Sequence, residues 1–391
     1  MKKVCVSLIF FLFLFVSCGE TTGVEPKNKG LAGFAVEFAE DFDLGSPEHR
    51  IENPEGGIIT TINITALGYD KKPYTKYNGE VEIGLLYGEN AAVSRITMEN
   101  GYAENIEVKM RYCLDYDRVV VQEVKKHDGE ETYAPTGKMG VSPVFYTNVA
   151  SISAIQGTTK GDRGLSSAFN NRNLTLKDKQ MVVIAVIEGG FYLHEVGAEE
   201  YSSVYMYTYS TPYVDDNRED NSFLPVGALI ESANGSVFEF FGFTEMSFPT
   251  FKPVYVEKNG KKEIKTDTSL IPAPKNINDI LTSNNEMEKY EASLVTVENV
   301  TVAWFNEEDS SYIEYSQFPL ETSDGKPIMA QTLYTAPLFN AVAEKPVDEN
   351  TKGHHYNFTG ILKQHTSARP STWILVPRDM NDIECLDCDD K

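Results

Sequence analysis

The chain has 391 residues, enough for two or three domains that each bury a core of their own. A composition of 41% apolar, 11% aromatic and 24% charged residues excludes a disordered chain, and 21 Tyr and 21 Phe beside only 2 Trp suit strands better than helices. The formal charge of −23 repels a generic polyanion such as duplex DNA unless basic residues are gathered locally, and no such gathering is visible.

The N-terminus reads as an address. Met1-Lys2-Lys3 is a short basic start, and the apolar run Val4 to Val16 is too short to cross a bilayer as a helix but suits the core of a secretory signal. The run ends Phe15-Val16-Ser17-Cys18-Gly19. This resembles the bacterial lipoprotein signal, in which a small residue precedes a cysteine that is acylated and becomes the mature N-terminus. Phe15 stands where that family prefers Leu, with Leu14 one residue earlier. The resemblance implies a signal peptide over 1–17, a lipid on Cys18, and an extracytoplasmic protein held to the membrane through its acylated end. Each buried acyl methylene contributes about 0.8 kcal/mol of anchoring. With no Asp after Cys18, the sorting pattern implies the outer membrane rather than the inner. Residues 18–55, Gly/Pro-punctuated and acidic, read as a tether and lead-in.

Over 56–147 come short alternating runs, IITTINITAL, GEVEIGLLY, SRITM, IEVKMRYCL and RVVVQEV, parted by turn signals at Asn78-Gly79, Asn100-Gly101 and Asp128-Gly129. Such spacing predicts a β-sandwich. The unit resembles bacterial immunoglobulin-like (Ig-like) modules, which serve as spacers or adhesive domains. At YAPTGKMGVSP, Tyr133 to Pro143, small and turn-forming residues predict that the strands stop and a domain boundary begins.

Residues 148–256 form the next unit, opened by SISAIQG. VVIAVIEGGFYLHE, the aromatic run YSSVYMYTYS and LPVGALIESANGSVFEFFGFTEM follow, broken by Gly189-Gly190, by Asn234-Gly235 and by Gly242. The pattern resembles the oligonucleotide/oligosaccharide-binding (OB) β-barrels found upstream of the catalytic domain in secreted bacterial nucleases and in related lipoproteins. Residues 257–391 hold a hairpin at Asn259-Gly260, a connector, and strands expected to close a second OB-like barrel. Within it Glu288, Tyr290, Glu291, Leu294 and Val295 match a Glu-x-Tyr-Glu-Gly-x-Leu-Val segment of those nuclease regions, Ala292 replacing the Gly. Pro377, Arg378, Asp382 and Ile383 match a tail common in such lipoproteins. The expected fold is therefore mostly β: an Ig-like β-sandwich followed by two OB-like β-barrels.

An OB surface binds by stacking on aromatic side chains, and Phe191, Tyr192, Tyr205, Tyr207 and Tyr209 are the candidate ligand-binding residues. Tyr205, Tyr207 and Tyr209 share one face, which is either a stacking platform or a packing surface. Residues 149–252 carry seven Lys/Arg against thirteen Asp/Glu, a net −6, so phosphate tracking lacks its cations and a protein or glycan ligand suits the barrel better than nucleic acid. No catalytic constellation, Gly-rich phosphate cradle or nucleophile elbow is present. The catalytic module of the nucleases would have to lie beyond residue 391. The leading expectation is a non-catalytic binding or scaffolding protein of the cell envelope; the alternative is an accessory relative of an extracellular nuclease that binds single strands.

Three metal or thiol features remain. The loop VDDNREDN offers Asp215, Asp216 and Asp220 as oxygen ligands for Ca2+, without the Gly and terminal Glu of an EF-hand. His354-His355 is the single His pair, and neighbours on a strand point to opposite faces, so the two are not expected to share an ion. Cys385 and Cys388 have the spacing of a local disulfide and equally of half a zinc or redox site; export favours the disulfide.

Overall fold

The computed structural model describes residues 30–54, 56–126, 132–160, 166–187, 189–214, 223–346, 353–365 and 372–388. The signal, Cys18 and the candidate Ca2+ ligands Asp215, Asp216 and Asp220 lie outside the described residues. Among the described residues strands make up 51% and helix 8%, the mostly β class that the alternating runs predict.

The first unit consists of β1 (Leu31–Phe38), β2 (Ile58–Gly68), β3 (Gly79–Leu85), β4 (Glu89–Asn90), β5 (Arg95–Met98), β6 (Tyr102–Arg111), β7 (Tyr116–Asp117), β8 (Val119–Lys126), β9 (Tyr133–Val141) and β10 (Phe145–Tyr146). Two four-stranded sheets, ordered β1-β2-β6-β4 and β5-β3-β8-β9, share one apolar cluster. Alternation supplies its members in pairs: Phe34 and Val36, Ile62 and Ile64, Val81 and Ile83, Val108 and Met110, Val119 and Val121.

Two boundaries differ from expectation. The lead-in contributes β1, which pairs with β2 from Leu31 to Phe38, so the sandwich begins before residue 56. The segment read as a boundary is strand β9, paired with β8. Gly140 serves close approach rather than turning: a Cβ on it would stand 2.2 Å from the Phe34 carbonyl oxygen, and one on Gly33 of the facing β1 2.6 Å from that of Met139. Taken alone, such composition looks like a loop. Pairing with β8 and the close approach of β1, remote in sequence, make it a sheet edge.

The second unit starts with α1 (Ile152–Gly157), capped where Ser151 Oγ accepts from the Ala154 N–H at 3.1 Å. After β11 (Thr159–Lys160) and β12 (Ser166–Ser167) come β13 (Asn173–Leu176), β14 (Met181–Ile187), β15 (Gly190–Glu195), β16 (Ser203–Tyr207), β17 (Leu229–Phe240) and β18 (Phe243–Pro253). The pairings run β14-β15-β16-β18-β17 and return to β14, closing a five-stranded barrel in which β16 and β18 alone are parallel. Ile152 and Ile155 of α1 join Val183, Phe191, Leu193, Val204, Met206 and Met246 in its core. Asn234-Gly235 is no turn: it is a bulge within β17, where the register to β18 shifts. The real turn is Phe241-Gly242, at φ +52° and +86° between paired Phe240 and Phe243.

Arg172 joins this barrel to the sandwich, donating to the carbonyls of Tyr112 at 2.7 Å and Leu114 at 2.6 Å. Beyond the barrel, β19 (Tyr255–Lys258) and β20 (Lys261–Ile264) form the expected hairpin at Asn259-Gly260.

The last unit repeats the plan. Its elements are β21 (Lys275–Asn276), α2 (Asn284–Glu288), β22 (Leu294–Val302), α3 (Ser310–Tyr315), β23 (Gln317–Thr322), β24 (Pro327–Gln331), α4 (Ala341–Glu344), β25 (Tyr356–His365), β26 (Thr372–Val376) and β27 (Ile383–Cys385). Pairings run β22-β23-β24-β26-β25 and return to β22, with β24 and β26 parallel, the ring order of the first barrel. Here too a Ser-capped helix feeds the core: Ser283 caps α2, and Met287 packs with Val295, Val297, Phe318 and Phe358.

Candidate binding cleft and the joint between the barrels

Strand alternation splits the five aromatic candidates. Phe191 points into the first barrel, its ring centroid 4.9 Å from that of Phe251, and so belongs to the core rather than to a recognition surface. Tyr192, Tyr205 and Tyr207 share the outer face of β15 and β16. Their rings form a ladder with centroids 4.8 Å apart (Tyr192 to Tyr205) and 5.9 Å (Tyr205 to Tyr207), continued by Tyr209 at 4.0 Å and by Phe248 at a further 4.9 Å.

The second barrel covers the start of that ladder. Ala292, Leu294 and Ile361 pack on Tyr192, Tyr205 and Phe243 together with Val182, Ile184 and Leu229. Tyr192 and Tyr205 are therefore packing residues, a correction to their reading as ligand contacts; burial pushes both hydroxyls well above the usual phenol range. Tyr207 is half-buried, and only the far end, Tyr209 and Phe248, is open to solvent. The apolar face of β15 and β16 was legible from the alternation of YSSVYMYTYS. What covers it was not, because the covering residues lie about 90 to 170 positions further on.

The matched segment around Glu288 and Glu291 sits at this joint. Ala292 has φ +60°, the left-handed conformation that glycine adopts without strain. Around it three carboxyls are buried close together. Glu291 Oε1 accepts from the Thr244 N–H at 3.0 Å, and Glu239 Oε1 accepts from the Ser167 N–H at 2.7 Å and from Thr244 Oγ1 at 2.8 Å. Gln364 Nε2 donates to Glu288 Oε2 at 3.4 Å. Glu239 Oε2, Glu291 Oε2 and Gln364 Oε1 are buried without a protein partner. Burial is the main cause that raises these carboxyls: Glu239 is pushed up to about 7, Glu288 to about 8 with help from Glu239, and Glu291 well above the ordinary range. The joint is thus a seam of carboxyls whose ionisation burial disfavours.

Beside the joint, the outer face of β23, β24, β26 and β25 forms the floor of a cleft of about 680 Å3. One wall is α3 with Tyr315; the other is the β17–β18 hairpin tip, Phe240 and Phe241, reaching across from the first barrel. Tyr334 and Tyr315 line it with 59% and 45% of their surfaces exposed. Phe241 stacks on His365 with centroids 4.8 Å apart. Across the floor Gln317 Nε2 donates to Gln331 Oε1 at 2.9 Å, leaving further amide positions for a ligand. Lys363 also lines the cleft, its Nζ 5.7 Å from the Phe243 ring centroid; burial lowers its ammonium pKa and Glu245 opposes that. Sequence reasoning missed this cleft. The run FEFFGF carried a signal, since a tight turn at Gly242 cannot bury every ring around it.

At the far end of the barrel, Cys385 and Cys388 are joined as a disulfide, and His354 and His355 both reach Asp387, at 3.2 Å and 2.8 Å from Nδ1. The two histidines do converge, against the strand-based expectation, because they precede β25 rather than lie within it. No protein-family model matches the chain, and no curated protein is similar to it.

Proposed function

We propose that this protein is a lipid-anchored, extracytoplasmic binding protein that holds a neutral glycan in the inter-barrel cleft, with the sandwich as spacer. One observation carries the reading: two exposed tyrosine rings and a phenylalanine tip flank a glutamine pair over about 680 Å3. Sugar rings present apolar C–H faces that stack on aromatic planes, and their hydroxyls pair with side-chain amides. In an OB-type barrel the second and third strands with their flanking loops form the recognition face. Here β23 and β24 occupy those places in the ring, and α3 lies in the loop before β23. The lipid anchor rests on the Cys18 signal, and the chain's charge of −23 weighs against phosphate-rich ligands. The test is calorimetric titration with neutral oligosaccharides, comparing the native protein with a Tyr315→Ala/Tyr334→Ala variant. The reading fails if no glycan binds, or if both proteins bind alike.

The competing reading, single-strand binding by a nuclease accessory, draws on Lys363 and His365 in the same cleft. It requires oligonucleotide affinity that falls steeply with salt.

A further inference from the structure

His354, Cys385 and Cys388 each offer a ligand atom within 4.8 Å of the other two. Tetrahedral zinc, with bonds of about 2.3 Å to thiolate and about 2.0 Å to imidazole, spaces such atoms by roughly 3.5–3.8 Å, so small side-chain rotations suffice once the sulfurs are free. We propose that this cluster is a redox-gated Zn2+ site: the reduced pair and His354 hold the ion, and the disulfide form excludes it.

The backbone already sets the arrangement. Tyr356 of β25 pairs with Cys385 of β27, and the Leu386 N–H donates to the His355 carbonyl at 2.8 Å, which fixes the histidine pair beside the cysteine turn. The Cys388 N–H donates to Cys385 Sγ at 3.0 Å, a contact that stabilises a thiolate. Asp387 supplies the fourth ligand. Its Oδ1 lies 3.2 Å from His354 Nδ1 and 3.9 Å from Cys385 Sγ. The His355 backbone N–H and Nδ1 hold the same carboxylate, at 2.9 Å and 2.8 Å, as outer partners do in metal sites. The resulting set is two thiolates, one imidazole and one carboxylate.

The exchange balances. An external dithiol gives two electrons and two protons to the Cys385–Cys388 bond, forming two protein thiols and one reductant disulfide. Zn2+ then displaces the two thiol protons to solvent. Oxidation by a disulfide reverses the sequence and releases the ion.

The test uses the full chain, reduced with a phosphine and titrated anaerobically with Co2+ as the spectroscopic stand-in for Zn2+. One Co2+ per chain is expected, with thiolate charge-transfer absorption and the visible bands of a tetrahedral centre. Cys388→Ser should abolish that spectrum and His354→Ala should weaken binding by about tenfold or more. Diamide oxidation should release the metal. Because the cluster is at the surface, these variants are expected to keep the native melting curve, and a variant that does not is replaced by His354→Gln. The proposal is overturned if the reduced chain gives no thiolate–Co2+ absorption, if the removal of His354 leaves affinity unchanged, or if the oxidised chain binds equally well.

Discussion

The carboxylic seam between the barrels makes stability fall as pH rises. Glu288 is 5% exposed and is pushed up to about 8 in the folded protein, chiefly by burial. The unfolded chain releases that proton near the ordinary carboxylate value, so between about pH 4.5 and about pH 8 the folded state binds more protons than the unfolded one. The stabilisation is complete below the unfolded value and is lost as pH climbs through the folded one. At about 1.4 kcal/mol per tenfold change in proton affinity, the loss attributable to Glu288 is on the order of 5 kcal/mol, an upper figure because Glu239 and Glu291 share the seam. Glu245 and Lys363 face the same region and shift the absolute curve, so a difference between two proteins is the quantity to measure. Glu288→Gln keeps the side-chain shape and removes the titration. Urea unfolding at about pH 4 and about pH 9 should show the two proteins alike in acid and the variant more stable by several kcal/mol in base. A wild-type-minus-variant difference that stays constant with pH refutes the reasoning.

Other substitutions probe the packing. Gly140→Ala puts a Cβ against the Phe34 carbonyl and should lower sandwich stability by roughly 2 kcal/mol or more, read from urea unfolding. Leu294→Ala removes a buried leucine from the inter-barrel cluster; a cost of about 2–4 kcal/mol and faster proteolysis between β20 and β21 are expected. Arg172→Ala strips two carbonyls of their donor where barrel and sandwich meet, and about 2 kcal/mol should be lost without a change in the far barrel's melting.

How much was legible from the chain follows from how local each signal is. Period-two runs such as VVIAVIEGGFYLHE and the Asn259-Gly260 turn depend on neighbours within a few residues, and both are read correctly as strands and hairpin. Gly140 in β9 and Gly235 in β17 look like turn formers until the facing strand is known. The same limit governs the sites. Tyr192 and Phe191 differ only in which face they take, and alternation separates them once the register is set. The burial of Tyr192 under Leu294, and the placing of Tyr315 and the Phe240-Phe241 tip on opposite walls of one cleft, depend on how the units come together. His354 and His355 converge on Asp387 because β25 starts at Tyr356, two residues later than an extended reading of both histidines requires.

The most direct measurement of the central claim is oligosaccharide binding to the intact chain and to the Tyr315→Ala/Tyr334→Ala variant at two salt concentrations. Saturable, salt-independent binding that the double substitution removes is the expected result. Binding that survives loss of both rings, or affinity for single-stranded oligonucleotides alone that collapses with salt, would contradict it.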